Sequence, residues 1–274
     1  MSTPVSSAVH AVVPPLPTVV STLRSAGCVF AEDEARLLVD AASTPEHLAE
    51  MVDRRVGGLP LEHVLGWAEF CGLRVAVDPG VFVPRRRTEL LVRAAAALAP
   101  SRPVIVDLCC GSGAVGVALA AALATAELYA ADIDAAAAQC ARRNVGPLGG
   151  HAVEGDLYDP LPPELRGRVD LLVANAPYVP TEAIGTMPPE ARLHEPTVAL
   201  DGGADGLDVQ RRVAAGAAEW LAPGGHVLIE TSERQSARTV DAFGRGGLTT
   251  QVVRCDDLGA TVVVGTRPAG GRRP

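Results

Sequence analysis

The sequence predicts an α/β protein, a doubly wound and mostly parallel sheet preceded by a small helical domain. Three observations carry that expectation. Short β-rich runs alternate with helical stretches between residues 103 and 231, the pattern of a parallel sheet covered on both faces. A glycine-rich turn holding Gly111, Gly113 and Gly116 joins the first apolar run to a helix, as in sheets that bind nucleotides at their strand ends. Upstream, residues 17 to about 66 carry helical periodicity only. A chain of 274 residues, 48% of them hydrophobic, is long enough for one large domain and a smaller one.

The elements follow in order. A first helix covers the run AEDEARLLVDAA. In the next, Thr44 stands as N-cap, Pro45 occupies the first helical position, and Leu48, Met51, Val52 and Val56 share one face before Gly57 stops it. Leu73, Val75 and Val77 then alternate as in a strand. Asp78, Pro79 and Gly80 turn the chain and residues 81–83 return it, which predicts a hairpin. A helix runs from Thr88 towards Pro100. Strands are expected at 103–108, 127–132, 169–174 and 225–231, and helices at 113–124, 134–143 and 207–221. Two last β-rich runs, 248–254 and 260–266, form a closing antiparallel pair. The chain therefore divides into a tail (1–16), a helical domain (17–70), a hairpin linker (71–86), a large domain (87–268) and a second tail (269–274).

Charge and composition exclude several functions. A net charge of −8 argues against a protein that lives on naked nucleic acid; nucleic-acid contact is allowed by a local basic patch but not required. The basic run Arg85, Arg86 and Arg87 reads as a solvated turn, with contact to a partner's phosphates as the alternative. The six cysteines contain no C-x-x-C pair and the six histidines no ligand spacing, so no metal is expected. No signal peptide and no stretch of membrane-spanning length is present, which points to a cytoplasmic protein away from membranes. All 24 basic residues are arginine and there are two asparagines, Asn144 and Asn175. An asparagine in such a chain stands out.

The glycine-rich turn alone leaves the cofactor open, because it fits a dinucleotide fingerprint. Asp107, four residues before Gly111, favours a different ligand. A fixed carboxylate there repels a pyrophosphate and suits a cofactor bearing an ammonium and a sulfonium. Asp132, closing the second strand, is placed to accept hydrogen bonds from ribose hydroxyls; a dehydrogenase would use the same acid. Asp134 caps the following helix. Asp156 either reaches the adenine or serves as a turn residue. The run Asp107, Leu108, Cys109, Cys110, Gly111, Ser112, Gly113 resembles the D-x-G-x-G-x-G loop of S-adenosylmethionine (SAM) methyltransferases. Cys109 stands where the first glycine usually sits, an exchange that asks residue 109 to keep a negative φ. Cys109 and Cys110 read as small side chains packed at a strand end.

The apolar run ending at Ala174 leads directly into Asn175, Ala176, Pro177 and Tyr178. This resembles the N-P-P-Y motif of methyltransferases acting on planar nitrogens: adenine, cytosine or a glutamine amide. Such a nitrogen has its lone pair delocalised, so its hydrogens must be held while it faces the methyl group. The Asn175 side-chain oxygen and a backbone carbonyl near Ala176 are candidate acceptors. Pro177 stiffens the loop, and Tyr178 can stack on a flat group.

Four longer segments extend the resemblance: RRVGGLPLEHVLGWAEFCGL, VFVPRRRTELLV, HEPTVALDGGADGLDVQRRV and LAPGGHVLIETSERQ. In this order they resemble the protein-(glutamine N5) methyltransferases of the HemK/PrmC type, across roughly residues 20 to 265. The resemblance implies a Rossmann-like SAM-dependent methyltransferase fold, with an N-terminal helical domain that recognises a protein substrate. It implies SAM contacts from Asp107, Cys109, Cys110, Gly111, Ser112, Gly113, Asp132, Ile133, Asp156, Leu157 and Asn175. Catalysis falls to Asn175, Pro177 and Tyr178, and substrate binding to these three with Ala176. Glu195 and Glu230 would brace the site through hydrogen bonds. The implied partner is a peptide-chain release factor, methylated on the glutamine of its Gly-Gly-Gln loop. The chain departs from the family pattern at Ala176, at Arg87 where an acid is usual, and at Ala260 and Thr261 where an arginine is expected. The alternatives are a DNA or RNA amino-methyltransferase and a SAM-binding scaffold without catalysis.

Overall fold

A computed structural model describes residues 15–123 and 126–269. The tails expected at the two ends lie outside the described residues over 1–14 and 270–274; Leu16 already belongs to a helix. The chain forms two compact units, residues 1–65 and 66–274.

The first unit contains α1 (Leu16–Ser25), α2 (Ala31–Ala41), α3 (Pro45–Val56) and α4 (Leu61–Leu65). Val19, Leu23, Ala35, Leu38, Leu48 and Met51 bury their side chains in one core. The Thr44 hydroxyl accepts the N–H of His47 at 3.1 Å, which fixes the start of α3. One expected core position moves by a residue. Val56 is exposed, and Arg55 takes the buried place on the stripe that begins at Leu48 and Val52. Its guanidinium is neutralised there by Glu34 of α2, through bonds of 2.6 and 3.2 Å to the two carboxylate oxygens.

The second unit opens with a hairpin that differs from the expected one. β1 (Trp67–Phe70) pairs antiparallel with β2 (Leu73–Ala76), Phe70 opposite Leu73. Cys71 and Gly72 turn the chain with φ of 51° and 74°, the paired positive values of a type I′ turn. The turn at Asp78 also exists, since Val81 N–H donates to Asp78 O at 3.0 Å. Residues 81–83 do not return as a strand, because the Val83 N–H is taken by the Glu195 carboxylate at 3.1 Å. Val77, Val81 and Val83 instead pack with Ala68, Ala137 and Cys140. The hairpin thus ends at Ala76, and its first strand lies inside the stretch expected to be helical.

Next come α5 (Glu89–Leu98), β3 (Val104–Leu108), α6 (Ala114–Leu123), β4 (Glu127–Asp132), α7 (Ala135–Val145), β5 (His151–Glu154) and β6 (Val169–Ala174). They are followed by α8 (Pro189–His194), α9 (Thr197–Leu200), α10 (Asp208–Trp220), β7 (Leu221–Thr231), α11 (Ser236–Arg245), β8 (Thr249–Cys255) and β9 (Ala260–Thr266). The seven-stranded sheet has the order β5-β4-β3-β6-β7-β9-β8. β3 pairs parallel with β4 and with β6, whereas β9 runs antiparallel between β7 and β8. Strand alternation sorts the core by face. Ile105, Leu171 and Val173 pack with Leu91, Leu119 and Ala141, while Val106, Leu172 and Ala174 pack with Val213, Ala217 and Phe243. The chain order reverses between β3 and β6, and a ligand crevice forms at such a point beyond the carboxyl ends of the strands.

Candidate functional site

A cavity of about 350 Å³ opens beyond β3, β4 and β6. Of the residues expected at a cofactor, Asp107, Cys109, Cys110, Gly111, Ser112, Asp132, Ile133, Asp156, Leu157 and Asn175 line it, together with Pro177. Gly113 does not. A Cβ there would press on Val145 and Ala141 at 3.1 and 3.3 Å, so Gly113 sets the close approach of the loop to α7 rather than the wall of the cavity.

The glycine-rich loop is held by the acids beside it. Asp132 accepts the Gly111 N–H at 2.8 Å and the Asp134 N–H at 2.9 Å on separate oxygens, and burial pushes its carboxyl up. Asp134 caps α7 through the N–H groups of Ala136 and Ala137. Asp107 is 1% exposed and accepts the Gly116 N–H at 2.8 Å. Burial pushes its carboxyl up to about 7, against the lowering pull of that N–H, and the charge of Asp132 adds to the rise. Cys109 departs from its expected conformation with a φ of 52°. The next N–H, that of Cys110, is tied to Ala131 O on the neighbouring strand at 3.1 Å, so residue 109 makes the left-handed turn a glycine would make more easily. Burial also pushes the Cys109 and Cys110 thiols up and keeps them neutral. Asp156 is a turn residue that also lines the cavity. Its carbonyl closes a turn onto the Asp159 N–H, and its carboxylate on the cavity wall accepts from Arg212 at 2.7 Å.

Asn175 follows β6 directly. Its amide nitrogen donates to the Thr88 hydroxyl at 3.4 Å, which orients the side-chain oxygen as the free acceptor. Ala176 is wholly buried in the core, so any contact it makes with a ligand is through its backbone. Tyr178 does not line this first cavity. It lines a second cavity, of about 270 Å³, with Arg87, Glu230, Arg254, Ala260 and Thr261. Its hydroxyl donates to Glu230 Oε1 at 3.2 Å, and Arg87 Nε donates to the same oxygen at 3.2 Å. The Arg87 guanidinium carbon is 5.8 Å from the centre of the tyrosine ring. Burial and the Glu230 charge push the Tyr178 phenol up. The basic run is solvated only in part: Arg86 and Arg87 are exposed, yet Arg87 also holds Glu230, and Arg85 holds the buried Glu195 at 2.6 Å.

The loop's backbone is clamped by a segment that the sequence left without a physical role. The Val179 N–H donates to Leu200 O at 3.0 Å, and the Gly202 N–H returns to Val179 O at 2.9 Å. The Gln235 amide donates to Tyr178 O and Asp205 O at 2.9 and 3.1 Å. A Cβ on Gly206 would overlap both Tyr178 O and Gln235 Nε2. Phe82, Pro84, Thr88, Pro196, Val198 and Arg212 also line the first cavity. The only sequence signal for them was that all six lie in the segments VFVPRRRTELLV and HEPTVALDGGADGLDVQRRV, which carried the resemblance.

The donor set fixes what the first cavity accepts. Asp107, Asp132, Asp134, Asp156 and Asp201 face it, against a single guanidinium, Arg212, already paired with Asp156. Such a wall favours a cation and disfavours a diphosphate. Among the described residues no group of three or more side chains is placed to hold a metal, and no helix is long and apolar enough to cross a membrane.

A family profile, the methyltransferase small domain, matches residues 72–191. The release factor glutamine methyltransferase of Geobacter sulfurreducens is 38% identical over 233 residues, covering 83% of this chain and 81% of that protein. The 4-amino-L-phenylalanine/4-methylamino-L-phenylalanine methyltransferase of Streptomyces pristinaespiralis is 37% identical over 233 residues, 81% of this chain and 79% of that one. A solved methyltransferase of Pyrococcus furiosus shares the fold with a TM-score of 0.53 at 14% identity, covering 72% of this chain and 90% of that chain. An acidic cavity at the strand-order reversal, closed by an asparagine loop that a glycine segment clamps, thus coincides with sequence kinship over four-fifths of the chain: the protein belongs to the family of release factor glutamine methyltransferases.

Proposed function

We propose that the protein transfers the methyl group of SAM to the side-chain amide nitrogen of a glutamine, the one in the Gly-Gly-Gln loop of a peptide-chain release factor. The observation that carries this reading is Asn175. Its amide nitrogen gives one hydrogen to Thr88 at 3.4 Å, which sets the side chain so that its oxygen serves as an acceptor at the cavity beyond β6. A planar NH₂ group offers two hydrogens, and Asn175 Oδ1 with a backbone carbonyl of the Ala176–Pro177 turn accepts them.

The acidic lining suits SAM: Asp132 for the ribose hydroxyls, Asp107 for the ammonium, Asp156 and Leu157 towards the adenine. The cofactor supplies an electrophilic methyl carried on a sulfonium. The chain supplies position. Hydrogen bonding to Asn175 turns the nitrogen towards that methyl, and the buried loop excludes water from the approach. As the nitrogen gains the methyl and a positive charge, the two acceptors stabilise its hydrogens; one proton then leaves to water. The carbon–sulfur bond breaks as the carbon–nitrogen bond forms, and no strong base is needed, because the N-methylated amide cation that results is a strong acid.

The test offers purified protein and labelled SAM three acceptors: an intact release factor, the same factor with its Gly-Gly-Gln glutamine replaced, and DNA or RNA oligonucleotides. Label on the first alone is expected. Label on the oligonucleotides and on no protein would establish the nucleobase reading instead.

A further inference from the structure

The second cavity adjoins the first through consecutive residues. Thr88 and Pro177 face the first cavity, Arg87 and Tyr178 the second. The sheet register explains why Glu230 is there. Ala174 of β6 stands opposite Ile229 of β7, so Asn175 and Glu230 leave the sheet side by side; Thr261 of β9 stands opposite Thr231. Glu230 is 2% exposed. One of its oxygens serves both Tyr178 and Arg87, while Oε2 is buried and has no hydrogen-bond partner among the described residues. A buried carboxylate oxygen without a donor is destabilising, and a ligand that brings one relieves it. Arg87 lines the same cavity, is half exposed and gives Glu230 only its Nε, so its two terminal nitrogens remain available as donors.

An acceptor beside two donors, next to a site built for a side-chain amide, matches the main-chain end of the residue that carries that amide. We propose that this cavity holds the α-nitrogen and α-carbonyl of the methylated residue. Glu230 Oε2 accepts the α-N–H, and the terminal nitrogens of Arg87 donate to the α-carbonyl oxygen. The inference rests on the reading that an amide borne by an α-amino acid is the methyl acceptor. A residue within a protein and a free amino acid present the same two groups; they differ in charge, since a free amino acid brings an ammonium and a carboxylate.

Three probes separate the parts: propionamide, which has only the side-chain amide; N-acetyl-L-glutamine N-methylamide, which adds a neutral main chain; and free L-glutamine. Their binding is measured by NMR in the presence of S-adenosylhomocysteine, for wild type, Glu230→Gln and Arg87→Met. Methylation of an intact release factor is measured alongside. The wild type is expected to hold the methylamide at least about tenfold more tightly than propionamide, with Glu230→Gln removing that advantage and leaving propionamide unchanged. Arg87→Met should weaken L-glutamine more than the methylamide if the acceptor is free, and both similarly if it is a peptide. Equal affinity of the wild type for all three probes would overturn the inference while leaving the proposed function intact. So would an equal loss for all three in Glu230→Gln, which would mean that Glu230 acts only through Tyr178. Glu230-dependent binding of a probe without methylation of the release factor would uphold the cavity's role and sink the protein-acceptor reading.

Discussion

Asp107 carries a titration that the cavity itself creates. Burial raises its carboxyl to about 7, so near neutrality it exists as both acid and carboxylate. An ammonium placed beside it favours the charged form, and binding therefore releases a proton. The sign follows. Affinity for S-adenosylhomocysteine, which bears the same ammonium as SAM, should rise with pH across about 6 to 8 and fall off below, where Asp107 is protonated before binding. Calorimetry in buffers of different ionisation enthalpy reads both effects, and an affinity that falls as pH rises would remove Asp107 from the ammonium site. The neighbouring Cys109 makes a second prediction. With φ at 52°, Cys109→Gly should stay within about 1 kcal/mol of wild type in urea unfolding. Cys109→Val, whose branched Cβ resists the left-handed region, should lose about 2 kcal/mol or more. Equal stability of the two variants would mean that residue 109 is unstrained. Sequence alone placed Asp107 and Asp132 but misjudged Cys109. Its φ is set by the bond from the Cys110 N–H to the next strand, a contact no local pattern reveals.

Among the elements, the glycine segment between α9 and α10 does the least obvious work. Its residues 202 and 206 lie against the backbone carbonyls of Pro177 and Tyr178, so the asparagine loop is positioned by a stretch that follows it in the sequence. Gly206→Ala should therefore displace Tyr178. It should also be strained by a φ of 76°, lowering stability by about 1–3 kcal/mol and turnover at least tenfold. Unchanged turnover in a correctly folded variant would show that the clamp is dispensable. The strands of the large sheet were legible because alternating apolar runs separated by helices admit few other arrangements. β4, β6 and β9 match their expected limits. The hairpin was not. Its type I′ turn uses Cys71 at a positive φ in place of the usual asparagine or glycine, while Asp78, Pro79 and Gly80 offered a stronger turn signal with no second strand behind it. The surroundings of Tyr178 were hidden for a related reason. The motif locates its backbone, but its ring follows Glu230 and Arg87, which are distant in sequence and adjacent only through sheet register.

On the scale of the whole chain, a net charge of −8 agrees with five carboxylates around one cavity and with a partner met through a protein surface rather than a phosphate backbone. The two compact units carry separate cores, and within the second unit all the chemistry gathers where β3, β4, β6 and β7 end. Sequence reached the acidic wall of the first cavity and the asparagine loop. It missed the second cavity, which needs Arg87, the loop after β6 and the ends of β7, β8 and β9 brought together and has no contiguous signature. Both cavities meet at the loop begun by Asn175. Single-turnover methyl transfer from labelled SAM to an intact release factor, with cofactor affinity measured in parallel, compares wild type with Asn175→Ala and Asn175→Asp. Alanine is expected to slow transfer by about a hundredfold, on the order of 3 kcal/mol of lost orientation, and to weaken cofactor binding far less than that; aspartate is expected to retain part of the rate. Transfer at the wild-type rate in Asn175→Ala would contradict the positioning role of Asn175.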